Sequence, residues 1–140
     1  MLDRALAEAG IDRAKCYVTN AVKQFIYTER GKRRLHKRPT TSQVVHYRWW
    51  LEQEISLVDP GIVVALGATA LYALSGKRTS VTAARGPMRL LDHAGYVTVH
   101  PSSLLRMPFE ADRRAARAAF VADLRAVSSM VQNGMPFHDK

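Results

Sequence analysis

Residues 30–38 (RGKRRLHKR) set six Lys or Arg side chains around one imidazole, His36, and a second imidazole, His100, opens the string HPSS at residues 100–103. Near neutral pH an imidazole can serve as nucleophile, base or hydrogen-bond donor. The cations around His36 disfavour its protonated form, which leaves the ring neutral and able to attack or to accept a proton. The same cations, Arg30, Lys32, Arg33, Arg34, Lys37 and Arg38, are candidate ligands for backbone phosphates. Each neutralised phosphate releases counterions, so about five such contacts would give a logarithmic salt slope of about −4 to −5. A solvated charged loop has the same composition, and the run by itself leaves both readings open. Two imidazoles, one among cations and one ending an apolar run, point to chemistry on a nucleic acid.

His100 precedes Pro101, Ser102 and Ser103, an arrangement suited to a rigid turn that presents an imidazole and two hydroxyls to a ligand or a phosphate. A histidine that merely caps a turn is the plainer alternative. Leu104, Leu105, Arg106 and Met107 follow, apolar groups beside a cation, the kind of segment that can wedge into a base stack or pack beneath its own loop. Asn20 carries the paired donor and acceptor that read a base edge, and is equally an ordinary turn residue. Trp49 and Trp50 adjoin Arg48; core packing is expected of them rather than base stacking.

At 140 residues, 47% hydrophobic and 24% charged, the chain has the make-up of a soluble globular domain. Residues 30–38 contribute +6 of a formal net charge of +9. An excess so concentrated favours a polyanionic partner. The single cysteine, Cys16, rules out an internal disulfide, cannot alone hold a zinc or an iron–sulfur cluster, and fits a reducing cytoplasm. The longest apolar stretch, residues 61–74, is broken by Gly67 and is too short to span a bilayer.

Helices and strands must position these groups. Leu2, Leu6 and Ala9 lie at helical spacing before a stop at Gly10. Residues 16–19 (CYVT) form a short β-prone run ending at Asn20, and the basic segment fills the loop that follows. Thr40 and Gln43 have the spacing of a capping box, which predicts a helix start. Val44, Tyr47, Leu51, Ile55 and Val58 continue that helix as one stripe toward Asp59-Pro60. Residues 62–66 (IVVAL) read as a strand covered on both faces, turned by Gly67 into a helix at residues 70–74. Residues 96–99 (YVTV) read as another strand ending at His100, and Ala116, Phe120, Leu124, Val127 and Val131 mark a last helix. Alternating strands and helices predict an α/β fold, three α/β/α layers around a parallel sheet, with Asn20, Gly67 and His100 together at the strands' carboxyl ends. One domain over residues 1–132 and a loose tail at 133–140 are expected.

The strings YVTNAVK (17–23), KRRLHKRP (32–39), IVVALGATA (62–70) and VHPSSLLR (99–106) resemble, in order and spacing, the uracil-DNA glycosylase superfamily, and within it the UdgX type, whose signature is a basic loop with an embedded histidine. The resemblance implies base-excision repair of DNA: a uracil is flipped out of the strand into a pocket. Asn20 would read its edge, and His100 would donate to its oxygen as it leaves as an anion. His36 would capture C1′ of the sugar and leave the protein attached to the abasic site. Ser102 and Ser103 would face phosphates, and residues 104–106 would enter the stack, with Leu104 and Arg106 as the contacts. The partner so implied is uracil-containing, single-stranded DNA, with no membrane, in a cytoplasmic protein that is nucleoid-associated when bound.

The family's first strand, central in its sheet, is expected to be missing before Met1, which would leave the runs at 16 and 62 without their shared neighbour. The family's 4Fe-4S cluster is not expected here, because the two ligand positions within this chain correspond to Gln24 and Tyr47. A catalytically inactive, truncated nucleic-acid-binding remnant stands as the alternative, and a domain whose exposed sheet edges pair with another chain as a third reading.

Overall fold

The computed structural model describes residues 1–22, 27–30, 33–36 and 39–133, the strands at 27–30 and 33–36 by their backbone alone. Helix α1 (Leu2–Glu8) is followed by a short 3-10 turn (Arg13–Lys15). Strands β1 (Tyr27–Arg30) and β2 (Arg33–His36) pair antiparallel, Tyr27 opposite His36 and Arg30 opposite Arg33. Helix α2 (Thr41–Val58) leads to β3 (Val63–Leu66), α3 (Ala68–Ser75), α4 (Val81–Ala84), β4 (Gly86–Leu90), β5 (His93–Thr98), α5 (Pro101–Leu105) and α6 (Glu110–Asn133).

Strands β3, β5 and β4 form one sheet in that order. β3 runs parallel to β5, with Val63 opposite Gly95 and Leu66 opposite Thr98. β4 runs antiparallel to β5, with Gly86 opposite Val97 and Leu90 opposite His93. The parallel pairing expected is present between β3 and β5, and the antiparallel β4 corrects the expectation of a sheet parallel throughout to a mixed one. β4 joins β5 through Leu91 and Asp92, both at positive φ (47° and 62°), as a two-residue hairpin turn requires.

The pleat sends alternate side chains to opposite layers. Val63 and Ala65 of β3, Leu90 of β4 and Val97 of β5 are buried with Val44 and Leu51 of α2 and Leu71, Ala73 and Leu74 of α3. On the other face Leu104, Phe120, Val121 and Leu124 cluster with Ala5, Leu6 and Ala9 of α1, and Leu66 packs against them. Tyr96, Val127 and Met130 extend this layer, with Ile62 and Val64 against them. Each buried Val, Leu, Phe or Met among them contributes about 1.5–3 kcal/mol by leaving water. Three α/β/α layers result.

The capping box is present as expected. The Gln43 amide donates to Thr40 Oγ1 at 3.3 Å and the Thr40 N–H donates to Gln43 Oε1 at 2.8 Å. Trp49 and Trp50 correct another expectation, being 56% and 53% exposed. At 100° per residue they stand about 140° and 240° around the helix from Val44, off its buried face. In α6, Met130 is buried and Val131 is exposed.

Residues 16–19 form no strand, a further departure. Among the described residues no strand runs beside them, so their backbone has no ladder to join. The segment is held instead by side chains: Tyr17 Oη and Thr19 Oγ1 donate to Glu54 Oε2 of α2 at 2.7 and 2.8 Å. The basic segment differs as well: its described residues, 30 and 33–36, lie in the paired strands β1 and β2 rather than in an irregular loop.

Candidate functional site

The exits of β3 and β5 meet at one place. Gly67, at φ +92°, turns β3 into α3, and its N–H donates to the Thr98 carbonyl at 3.0 Å. A Cβ built on Gly67 would stand 2.9 Å from His100 Cβ. The absence of a side chain at Gly67 is what lets the two chain reversals approach so closely.

His100 is the N-cap of α5, and Pro101 occupies the first helical position, where its missing N–H leaves nothing unsatisfied. The Ser102 N–H donates to His100 Nδ1 at 3.0 Å. The neutral ring that makes this contact carries its proton on Nε2. Burial, and then the neighbouring Arg106 charge, hold the His100 pKa below the usual imidazole value. Both causes penalise the cation. The turn thus presents a neutral imidazole whose second nitrogen is a donor.

The two serines close the turn from within. Ser103 Oγ donates to the His100 carbonyl at 2.8 Å, and Ser102 Oγ accepts from an Arg106 terminal nitrogen at 3.2 Å. The Ser103 proton is committed to the turn, whereas the Ser102 hydroxyl keeps its proton for a ligand. Of the two leucines, Leu104 is only 2% exposed, packed among α1 and α6, and Leu105 is 67% exposed. Leu105 is the leucine that faces solvent, beside the exposed Arg106.

Behind the turn lies a polar network that periodicity did not reveal. Thr98, fully buried, donates through Oγ1 to Asp123 Oδ2 at 2.6 Å. Tyr96 Oη donates to Asp123 Oδ1 at 3.1 Å. Arg85 reaches Oδ2 through Nε at 2.8 Å and a terminal nitrogen at 2.7 Å. Burial, then the Asp123 charge, push the Tyr96 phenol upward. Asp123 thereby ties α6 to the last turn of β5 and to the residue that precedes β4. A carboxylate between Phe120 and Val127 on the apolar side of α6 was the available signal.

Asn20 ends the extended segment held on Glu54 and is exposed; Ala21 and Val22 after it pack on the α2–α3 cluster. His36, Arg30, Arg33 and Arg34 lie in the β1–β2 hairpin, their side chains outside the described residues. Lys32, Lys37, Arg38 and Gln24 fall outside them entirely. Tyr47 sits on α2, its ring edge-on to His46 at 4.8 Å. Two surface cavities, of about 410 and 320 Å³, are lined by Asp59, Asp92 and His93 and by Leu105, Arg113 and Arg114 respectively. The first is at the opposite end of β5 from His100 and is acidic, which disfavours a polyanion. Among the described residues no helix is long and apolar enough to cross a membrane.

Residues 1–125 match the family described as the uracil DNA glycosylase superfamily. The chain is similar to a type-4 uracil-DNA glycosylase of Thermotoga maritima, 36% identical over 109 residues, which are 76% of this chain and 53% of that protein. It is also similar to a DNA polymerase of Bacillus phage SP01, 28% identical over 137 residues, which are 97% of this chain and 13% of the polymerase. The chain spans about half the length of the first relative and a small part of the second.

Proposed function

The chain belongs to the uracil DNA glycosylase superfamily, and on that premise we propose that it acts in base-excision DNA repair, cleaving the N-glycosidic bond of a uracil extruded from single-stranded DNA, in the manner of the UdgX type. The observation that carries this reading is the His100 turn. Because Nδ1 accepts from the Ser102 N–H, the neutral ring can donate only through Nε2. As the bond between C1′ and the base breaks, its electron pair moves onto uracil and negative charge grows on the ring oxygens. A donor already aimed at that charge stabilises the departing anion and needs no reorganisation during the reaction.

In this proposal Asn20 reads the uracil edge through its amide. The cations of the hairpin segment hold the phosphates. Ser102 donates to a phosphate, and Leu105 takes the wedge position beside Arg106, since Leu104 is committed to the core. His36 is the nucleophile: an imidazole nitrogen bonds to C1′ as uracil leaves with the electron pair, and the imidazolium so formed releases its proton to solvent. The product is a histidine joined to the abasic sugar. This step is supported by the sequence of the basic segment and the resemblance it carries.

No cofactor enters the proposal. An iron–sulfur cluster is held by four thiolates, and this sequence holds one cysteine, whose thiol donates to the Asp12 carbonyl at 3.5 Å. Tyr47 offers a phenol on α2. These residues do not fit a cluster.

The test is to incubate the protein with a uracil-containing single-stranded oligonucleotide. Free uracil and a band shift that survives denaturant are expected, and His36→Ala should lose the shift while keeping reversible binding. Absence of uracil release, with equal affinity for uracil-free DNA, would establish the inactive nucleic-acid-binding reading instead.

A further inference from the structure

Just beyond the His100 turn, Leu105 and Phe109 are 67% and 68% exposed, and the cations around them differ from Arg117 further along α6. Arg117 is neutralised by a two-pronged pair with Glu8, both contacts at 2.8 Å. Arg113 donates to the Met107 carbonyl at 2.7 Å, a neutral acceptor that leaves its charge uncompensated. Arg114 has no hydrogen-bond or ion-pair partner among the described residues. Arg106 is held by Ser102, again without a carboxylate. The cavity of about 320 Å³ next to them is lined by Leu105, Arg113, Arg114 and the neutralised Arg117, with Glu110 as its one carboxylate.

An exposed aromatic ring beside uncompensated guanidinium groups has the chemistry of a single-strand platform. A base lays its π-face on the ring, and the planar guanidinium forks meet the phosphate oxygens two at a time. A hydrophobic protein partner would not call for Arg113 and Arg114 at the rim, neither of them in an ion pair among the described residues. Nor does the extruded nucleotide account for them, since the turn that would receive it is built from His100 and Gly67.

We propose that Phe109, Arg113 and Arg114 form a second nucleic-acid subsite, which holds the strand on one side of the extruded nucleotide, Phe109 stacking a neighbouring base and the two arginines pairing with its phosphate. This rests on the reading of the chain as a DNA-binding glycosylase. Phe109 fixes where the subsite begins, because its carbonyl accepts from the Arg113 N–H at 3.0 Å and so ties its backbone to the first turn of α6.

Binding of a fluorescent uracil-containing single strand by the whole chain tests it. Phe109→Ala should weaken binding about tenfold, and Phe109→Trp should restore it. Arg114→Ala should make the logarithmic salt slope shallower by about 0.7, the contribution of one single-strand phosphate. Oligonucleotides shortened on one flank should abolish both deficits, and those shortened on the other should leave them. Wild-type affinity and slope in both variants, with uracil release intact in the unaltered protein, would overturn the subsite alone. A protein that binds no single strand would overturn the parent reading along with it. A Phe109-dependent dimer in sedimentation, with unchanged DNA binding, would make the patch a contact between copies of this chain.

Discussion

The Cα hydrogen of Gly67 faces the side chain of His100 so closely that an added methyl carbon would lie 2.9 Å from His100 Cβ. Gly67 has φ +92° and ψ 174°, a region essentially reserved for glycine. Gly67→Ala should therefore lower stability by about 1–3 kcal/mol, read from denaturant midpoints, and should slow uracil release further by displacing the His100 ring. A variant as stable and as active as the parent would separate the glycine from the site.

The His100 turn makes a pH prediction. Its folded pKa is depressed, chiefly by burial and then by Arg106, so on acidification the unfolded chain takes up this proton before the folded chain does. Below the ordinary imidazole value the unfolded state binds more protons, and this group then makes stability fall as pH falls. Activity should be retained down through the ordinary imidazole range and decline only at lower pH, where the ring becomes a cation. Arg106→Gln removes the second cause, and the acid limb of the rate profile should move to higher pH. An unmoved limb would detach Arg106 from the titration.

Asp123 is bound by Thr98, Tyr96 and Arg85 together. Asp123→Ala leaves a partly buried guanidinium and two hydroxyls without their acceptor, and a loss of about 3 kcal/mol is expected. Because Thr98 lies two residues before His100, Thr98→Val should reproduce part of that loss and also lower the rate of uracil release. Thermal melts with single-turnover rates on the same samples check both.

Much of this architecture is legible in the chain itself. The capping box at Thr40 and Gln43, the glycine exit of β3 and the apolar face of α6 are local patterns with one physical solution each. β4 is not legible. Its Pro87 suits only an edge strand, and its turn is Leu91-Asp92 rather than the Asn-Gly that announces two positive φ angles. Residues 16–19 have strand composition, yet a strand also needs a neighbour, and composition cannot supply one. At the site, His100, Ser102 and Arg106 stood out because they adjoin in sequence, whereas Asp123 meets Thr98 only through the packing of α6 on the sheet. Leu104 and Leu105 are alike as letters, and the phase of α5 alone separates core from surface.

The cap of α2 supplies a control. Thr40→Ala removes the acceptor for the Gln43 N–H and should cost about 1 kcal/mol of stability. It touches no group assigned to the chemistry, and the rate of uracil release per folded molecule should stay at the parent value. A change in that rate would mean that α2 governs the site through Glu54 and the Asn20 segment.

The most direct measurement is single-turnover uracil release from single-stranded DNA at saturating protein, comparing the parent chain with His100→Ala. A rate lower by about 10²–10³, with DNA affinity kept, is the result expected of a donor that acts on the departing base. Equal rates in the two proteins would contradict that role.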